Sequence, residues 1–224
     1  MSRRKVTIDD GFNHELVIGA EFDGVFEIPR INEPHTIITP KGFTPFTKRH
    51  RAPSDNEALS FFEYDTRFAD VLIEPERYIE VARSFPVFVP PDCSIYYDMP
   101  FAGQIANTYR SRAIGCYYQR HGANVYPLVR WGDERTYTDL VFPEPLSFAG
   151  VPRRSVVVIS TYGCIGKPAY RLHFKRGLEA MLYYLDPVLV LVHGPMPDDI
   201  FGPYMHHTDF IHYSDWISRM KGRG

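Results

Sequence analysis

Residues 156–160 read Val-Val-Val-Ile-Ser, and residues 188–192 read Val-Leu-Val-Leu-Val. Val-Val-Val-Ile and Val-Leu-Val-Leu-Val are continuously apolar rather than alternating, which is typical of parallel strands covered by helices on both faces. Three more apolar runs of strand length lie at 59–63, 87–89 and 125–129. Segments of helical period separate them, so the sequence predicts an α/β fold with a mainly parallel sheet of about five strands. Either an open doubly wound sheet or a reduced barrel would fit this pattern.

Two apolar stripes predict the covering helices. Apolar side chains recur every three or four positions over 102–117 and again over 170–185. We expect a further helical segment over 67–84, with a break at Pro75 because a proline interrupts the helical hydrogen bonds. The tyrosine and methionine members of these stripes are interpreted as core residues.

The N-terminal part of the chain has a different sequence pattern. Residues 1–57 contain five prolines and no sustained periodicity, with room for short strands at 25–28 and 36–38. We therefore predict one globular domain: an irregular, proline-rich arm (1–57) packed on an α/β domain (58–224) that ends in a histidine-bearing tail.

Composition limits the class of protein. The 224 residues are 44% hydrophobic and 23% charged, and no apolar run is long enough to cross a membrane. The basic start is followed by Asp9 and Asp10 rather than an apolar signal core, so we expect a cytoplasmic location. Three cysteines without pairing or CxxC spacing argue against a disulfide framework and a cysteine zinc site.

Charge is uneven along the chain although the total is only −2. Residues 52–99 carry 3 basic and 10 acidic side chains, whereas residues 100–176 carry 11 basic and 4 acidic ones. The basic segment could face an anionic ligand or a nucleic acid, or its charges could cover solvated helix faces and pair with acidic neighbours. Its candidate anion contacts are Arg110, Arg112, Arg130, Arg135, Lys167 and Arg171.

Polar and aromatic residues follow the predicted strands. Because the carboxyl ends of parallel strands meet at one edge, we expect these side chains to form a common site. In chain order they are Tyr64, Asp65, Asp92, Ser94, Tyr97, Asp98, Arg130, Trp131, Asp133, Glu134, Ser160, Thr161, Tyr162 and His193. For Asp98, Asp133 and Thr161, capping of a following helix is an alternative role.

The predicted site handles a small phosphate-bearing or nucleoside-like ligand. Asp92 would be the acid–base or nucleophilic carboxylate with Asp133 or Glu134 as its partner, and Arg130 would clamp an anion. Tyr97 or Trp131 would support a ring. Further candidate ligand contacts are Asp98, Arg110, Ser160, Thr161, Lys167 and His193.

Common cofactor and metal motifs are missing. The turn from Gly163 to Lys167 resembles a phosphate loop, but Thr161 and Pro168 stand where a Walker loop requires Gly and Ser or Thr. Adjacent histidines in the tail segment 206–212 would point to opposite faces of a strand, so no metal site is predicted there. The sequence identifies no cofactor.

Four segments carry a family resemblance. They are residues 91–100 (Pro-Asp-Cys-Ser-Ile-Tyr-Tyr-Asp-Met-Pro), 107–113 (Asn-Thr-Tyr-Arg-Ser-Arg-Ala), 131–135 (Trp-Gly-Asp-Glu-Arg) and 158–161 (Val-Ile-Ser-Thr). Over roughly residues 58–195 the chain resembles a domain-of-unknown-function family common in bacteria, prophages and mobile elements. This resemblance implies a phage or mobile-element context and no particular reaction. The two functional hypotheses are therefore a small enzyme and a non-catalytic regulatory module that binds nucleic acid or a host protein.

Overall fold

A computed structural model describes residues 13–221, which form helices and mostly parallel strands. The strands are β1 (Phe22–Asp23), β2 (Ile28–Pro29), β3 (Phe43–Pro45), β4 (Ala58–Ser60), β5 (Val87–Phe88), β6 (Val156–Ser160), β7 (Leu189–His193) and β8 (Asp209–Tyr213). The α-helices are α1 (Ala69–Ile73), α2 (Ile79–Ser84), α3 (Phe101–Arg120), α4 (Glu134–Tyr137), α5 (Pro168–Leu185), α6 (Asp198–Phe201) and α7 (Trp216–Lys221). Short 3₁₀-helices lie at His14–Val17, Phe46–Arg51, Asp65–Arg67, Pro75–Tyr78, Leu146–Phe148 and Gly202–Tyr204.

The parallel strands form two three-stranded sheets. One has the order β3-β4-β5 and the other β6-β7-β8, and every pairing within them is parallel. The pair β1-β2 is a separate antiparallel hairpin. The predicted α/β class with parallel strands is thus confirmed, whereas the prediction of a single sheet of about five strands is wrong.

Residues 125–129 explain why the parallel strands divide into two sheets. This segment was predicted to be a strand, yet it makes only one parallel bridge to each sheet, from Val125 to Phe88 and from Leu128 to Val158. Pro127 lies between the two bridges and has no N–H to donate to a continuous ladder. The segment therefore runs parallel to both sheets without becoming a regular strand, and all the carboxyl ends lie at the same end of the fold.

One apolar cluster is common to both sheets. It takes side chains from all six parallel strands and from the segment that joins them: Phe43, Ala58, Val87, Val89, Tyr126, Leu128, Val156, Val158, Leu189, Leu191 and Tyr213. A second cluster packs α3 against the N-terminal residues and β4, and a third packs α5 against β6 and β7. The helices thus cover the outer faces of the strands, as their continuous apolar sequences indicate.

The predicted helices agree with the structure. The two apolar stripes are α3 and α5, and Pro75 begins a 3₁₀ turn that separates α1 from α2. The segment predicted as an irregular arm contributes more than expected, because β3 pairs with β4 as an edge strand. The histidine-bearing tail likewise contains β8, which pairs with β7. Among residues 13–221, no helix is both long and apolar enough to cross a membrane.

Candidate functional site

A cleft of about 590 Å³ opens at the carboxyl ends of the parallel strands. It is lined by residues that follow both sheets and the segment between them: Phe62, Glu63, Tyr64, Arg67, Asp92, Ser94, Tyr96, Arg130, Ser160, Tyr162, Gly163, His193 and Asp215. Half of the fourteen predicted strand-end residues line this cleft: Tyr64, Asp92, Ser94, Arg130, Ser160, Tyr162 and His193. Asp92 and His193 meet there although 101 positions separate them. We call this space the strand-end cleft.

An ion pair between Asp92 and Arg130 forms one wall of the cleft. Arg130 Nη1 donates to both carboxylate oxygens of Asp92, at 2.9 and 2.7 Å, and Nε donates to the carbonyl of Ile95 at 3.4 Å. The side chains of Arg130 and Asp92 are only 17% and 12% exposed. Among the described residues, Arg130 Nη2 has no hydrogen-bond partner. The guanidinium therefore keeps donor capacity for another group while it neutralises the buried carboxylate.

Burial and charge act in opposite directions on this pair. Burial raises the pKa of the Asp92 carboxyl, and the adjacent Arg130 guanidinium offsets part of that rise. Burial lowers the pKa of Arg130, but the carboxylate of Asp92 outweighs it, so the net pKa of Arg130 is raised. We infer that Arg130 stays charged and that Asp92 is the group of the pair able to exchange a proton.

His193 is the last residue of β7 and lines the strand-end cleft. Its ring stacks on Phe62 with 4.0 Å between centroids, and Tyr162 contacts it edge-on at 4.9 Å. Its Nδ1 is 3.3 Å from Ser160 Oγ, which also donates to the His193 carbonyl at 3.2 Å. Burial lowers the pKa of His193 to about 4, so the imidazole is neutral at neutral pH.

This burial makes stability depend on His193 in mildly acidic solution. The pKa in the folded state, about 4, is below the unfolded value of about 6.5, so the unfolded chain binds more protons as the pH falls between these values. We expect the free energy of unfolding to fall by about 2 kcal/mol between about pH 7 and pH 5 through this residue.

Urea unfolding of the wild type and of His193→Gln at both pH values tests this. The glutamine variant should lose this part of the pH dependence, while the contributions of the other histidines remain the same in both proteins. Equal pH dependence in the two proteins would contradict a neutral, buried His193.

The cleft is also lined by two carboxylates that sequence reasoning did not assign, those of Asp215 and Glu63. Tyr162 donates its hydroxyl to Asp215 Oδ2 at 3.1 Å, and Asp215 also accepts from the backbone N–H and hydroxyl of Ser218. Hydrogen bonds from Ser218 lower the pKa of Asp215 to about 2. Glu63 is held by the N–H and hydroxyl of Thr47 at 3.0 and 2.5 Å. The carboxylates of Asp215 and Glu63 thus already have hydrogen-bond partners within the protein.

A small aromatic recess lies behind Arg130. It has a volume of about 30 Å³, room for roughly one water molecule, and shares Tyr96, Arg130, Ser160 and Gly163 with the strand-end cleft. Tyr97 stacks on His173 at 5.3 Å, and Trp131 donates Nε1 to the His173 carbonyl at 3.2 Å. The predicted ring platforms Tyr97 and Trp131 therefore border this recess rather than the open cleft.

The predicted carboxylate partners of Asp92 lie elsewhere. Asp133 caps α4 by accepting from the N–H of Arg135 at 3.0 Å, and it pairs with the Arg135 side chain at 2.6 Å. Burial raises the pKa of Asp133, but hydrogen bonds from Arg135 and Gln104 outweigh it and the net pKa is lowered. Glu134 is exposed, with Oε2 3.6 Å from His173 Nδ1. Neither Asp133 nor Glu134 lines the strand-end cleft.

The helix-capping alternatives have mixed outcomes. Asp133 caps α4, as predicted. Asp98 is exposed, and the residue at the N-cap of α3 is Pro100, with no side-chain hydrogen bond, so capping by Asp98 is wrong. Thr161 is buried and donates to the Pro195 carbonyl at 2.9 Å, so it secures the loop after β6 and caps no helix.

The remaining predicted contacts are also outside the cleft. Lys167 is exposed at the N-cap position of α5, with Nζ 5.7 Å from the Tyr170 ring centroid. Arg110 donates to Asn107 Oδ1 at 3.0 Å on the surface of α3. Arg112 is fully buried and donates only to backbone carbonyls, which makes it a structural residue rather than an anion contact. Within residues 13–221, no three His, Cys, Asp or Glu side chains come together as a metal site.

Comparison with known proteins identifies the family of this chain. A family model described as "Domain of unknown function (DUF4417)" matches residues 20–214. The chain belongs to the DUF4417 family. The predicted membership of a domain-of-unknown-function family is therefore confirmed, and the match extends beyond residues 58–195 at both ends.

Two relatives of this chain are phage proteins. The Gene 1 protein of Mycobacterium phage L5 is 33% identical over 150 residues, which are 66% of this chain and 62% of that protein. The Gene 1 protein of Mycobacterium phage D29 is 34% identical over 148 residues, 65% of this chain and 52% of that protein. The chain thus spans less than two thirds of the length of either relative. No solved structure matches it.

Proposed function

We propose that this DUF4417 domain is a small enzyme that binds a phosphate-bearing or nucleoside-like ligand in the strand-end cleft. The observation that carries the proposal is the convergence on one cleft of Asp92, Arg130, Ser160 and His193, which lie at or shortly after the ends of four separate parallel segments. The carboxyl ends of parallel strands are the usual place for ligands in α/β folds. A cleft of about 590 Å³ is also of the size that small-molecule sites have.

Each of these side chains has a chemical role in the proposal. Arg130 would donate Nη2 to the anionic group of the ligand while Nη1 remains bound to Asp92. An anion that shares the guanidinium would weaken its hold on Asp92, whose carboxyl would then accept or donate a proton. The neutral imidazole of His193 and the hydroxyl of Ser160 would contact polar groups of the ligand. Exposed Tyr64 and Tyr96 at the mouth offer faces for a ring.

The charge pattern supports a small ligand over a nucleic-acid backbone. In the basic segment 100–176, Arg135 pairs with Asp133 and Arg171 with Asp199, while Arg112 is buried. These arginines are committed to local partners, so they do not form an open face that could neutralise several phosphates together. The regulatory nucleic-acid binder has no comparable support.

Ligand-dependent thermal unfolding tests the proposal. We would screen inorganic phosphate, nucleosides, nucleoside monophosphates and sugar phosphates against the wild-type protein. A ligand at 100 times its Kd raises the free energy of unfolding by about 2.7 kcal/mol, and we expect this from phosphate-bearing members of the panel. Arg130→Lys should lose most of that stabilisation, because lysine can pair with Asp92 but lacks the planar fork that offers a second nitrogen.

Matched controls separate this result from a general charge effect. Arg154→Lys changes an exposed arginine that pairs with Asp186, and it should respond to the ligand as the wild type does. Equal stabilisation of Arg130→Lys and wild type would reject the cleft as the binding site. Salt-sensitive binding of random oligonucleotides that Asp92→Asn leaves unchanged would favour the nucleic-acid binder instead.

A further inference from the structure

A second depression, away from the strand-end cleft, lies between α5 and the chain that follows α4. It measures about 690 Å³, and none of its lining residues lines the strand-end cleft. Its lining comprises Glu134, Tyr137, Thr138, Asp139, Leu140, Arg176, Glu179, Ala180, Tyr183 and Tyr184. We call it the α5 groove.

Apolar side chains in the α5 groove face solvent. Tyr183 is 78% exposed and Leu140 is 71% exposed, and Val141 beside Leu140 is also exposed. Tyr184 is half-buried and its ring contacts that of Tyr183 edge-on, with 5.5 Å between centroids. Large apolar and aromatic side chains that border one concave surface are characteristic of sites that bind another protein.

The rim of the α5 groove is acidic. Glu134, Asp139 and Glu179 are exposed carboxylates, and Arg176 is the cation among the lining residues. Burial and the charge of Glu134 raise the pKa of Tyr137 to about 12, and the nearby charge of Arg176 offsets part of that rise. Three carboxylates against one guanidinium give the lining of the α5 groove a net negative charge.

We propose that the α5 groove docks a basic, amphipathic peptide segment of a partner protein. Apolar side chains of the segment would pack between Leu140 and Tyr183, as in helix-in-groove recognition. Its lysines and arginines would meet the three rim carboxylates, which complement them in charge. This proposal is independent of the ligand in the strand-end cleft, because the two surfaces share no residue.

Fluorescence anisotropy tests the proposal with two labelled peptides. One contains leucine and lysine at helical spacing, and the other has every lysine replaced by glutamate. We expect the lysine peptide to bind the wild type and the glutamate peptide not to bind. The double variant Leu140→Ser/Tyr183→Ser should weaken the lysine peptide by about tenfold or more, since apolar anchors dominate such interfaces.

A matched control and a second variant complete the test. Leu172→Ser removes an exposed leucine that lies on α5 but does not line the groove, and this variant should bind the peptide as the wild type does. Glu179→Lys is an exposed charge reversal that keeps the apolar walls, so it should weaken the lysine peptide even if the double variant fails to fold.

Three outcomes would overturn the proposal. They are no binding of the lysine peptide to wild type, equal binding to all variants, and equal binding of both peptides. A wild-type dimer that Tyr183→Ser converts to monomer would also overturn it, because the groove would then be an interface between two copies of this chain.

Discussion

Arg112→Met is expected to lower the free energy of unfolding by about 3–5 kcal/mol, a large part of the total stability of a domain this size. Arg112 lies on α3, is 2% exposed, and donates Nε to the carbonyl of Ala149, Nη1 to that of Leu128 and Nη2 to that of Ser147, at 3.1, 2.6 and 2.9 Å. Methionine fills similar space but donates nothing, so three buried carbonyls lose their donor. Each such loss costs about 1–3 kcal/mol.

Loss of the three Arg112 hydrogen bonds should also disturb the strand-end cleft. Leu128 is two residues before Arg130, and Arg112 joins this segment to the 3₁₀ turn Leu146–Phe148 through α3. Burial of Arg112 lowers its pKa to about 10, with no carboxylate to compensate the charge. The side chain thus holds the two chain segments together through its three hydrogen bonds, while burial of its charge opposes folding.

Urea unfolding of Arg112→Met against Arg154→Met measures this prediction. Arg154 is exposed and pairs with Asp186 on the surface, so its replacement should cost no more than about 1 kcal/mol. A loss of under about 1 kcal/mol for Arg112→Met would mean that the three carbonyls find other donors or water.

Local sequence patterns predicted the fold where tertiary contacts do not override them. The run Val156–Ser160 becomes β6 with its boundaries unchanged, because a continuous apolar run of this length suits a strand covered on both faces. Residues 125–129 are also mainly apolar, yet Pro127 cannot donate a ladder hydrogen bond, so the segment makes only one bridge to each sheet. The strands β3 and β8 were missed because β3 ends in Pro45 and β8, which reads Asp-Phe-Ile-His-Tyr, contains neither a continuous apolar run nor a regular alternation.

The site residues that could be predicted from the sequence are those whose place depends only on lying near the end of a strand. Asp92, Arg130, Ser160 and His193 meet because each lies at or shortly after the carboxyl end of a parallel segment. Asp215 also follows a strand, and it was missed with β8. The roles of other charged residues depend on contacts that are distant in sequence, and these cannot be predicted from the charge pattern. Arg112, for example, donates to carbonyls 16 to 37 positions away, so no local pattern indicated that it is buried.

The second large effect concerns the ion pair between Glu57 and Arg219. Arg219 donates Nη1 and Nη2 to the two carboxylate oxygens of Glu57 at 2.9 and 2.7 Å, and Nη1 also donates to the Phe43 carbonyl at 3.1 Å. The side chains of Glu57 and Arg219 are 0% and 12% exposed. A Cβ at Gly42 would collide with this guanidinium, so the glycine is needed for the close approach. The pair attaches α7 to the edge of the β3-β4-β5 sheet.

Glu57→Gln and Arg219→Met are each expected to cost about 3–5 kcal/mol, because either change leaves a buried charge without its partner. The double variant should cost clearly less than the sum, since it removes both charges together. Four urea-unfolding curves form the double-mutant cycle, and the same cycle on the exposed pair Arg154–Asp186 should give a coupling below about 1 kcal/mol. Because Asp215 lies just before α7 and lines the strand-end cleft, loosening this helix should also weaken ligand binding there. Additive losses in the Glu57–Arg219 cycle would show instead that the two side chains stabilise the fold through separate contacts.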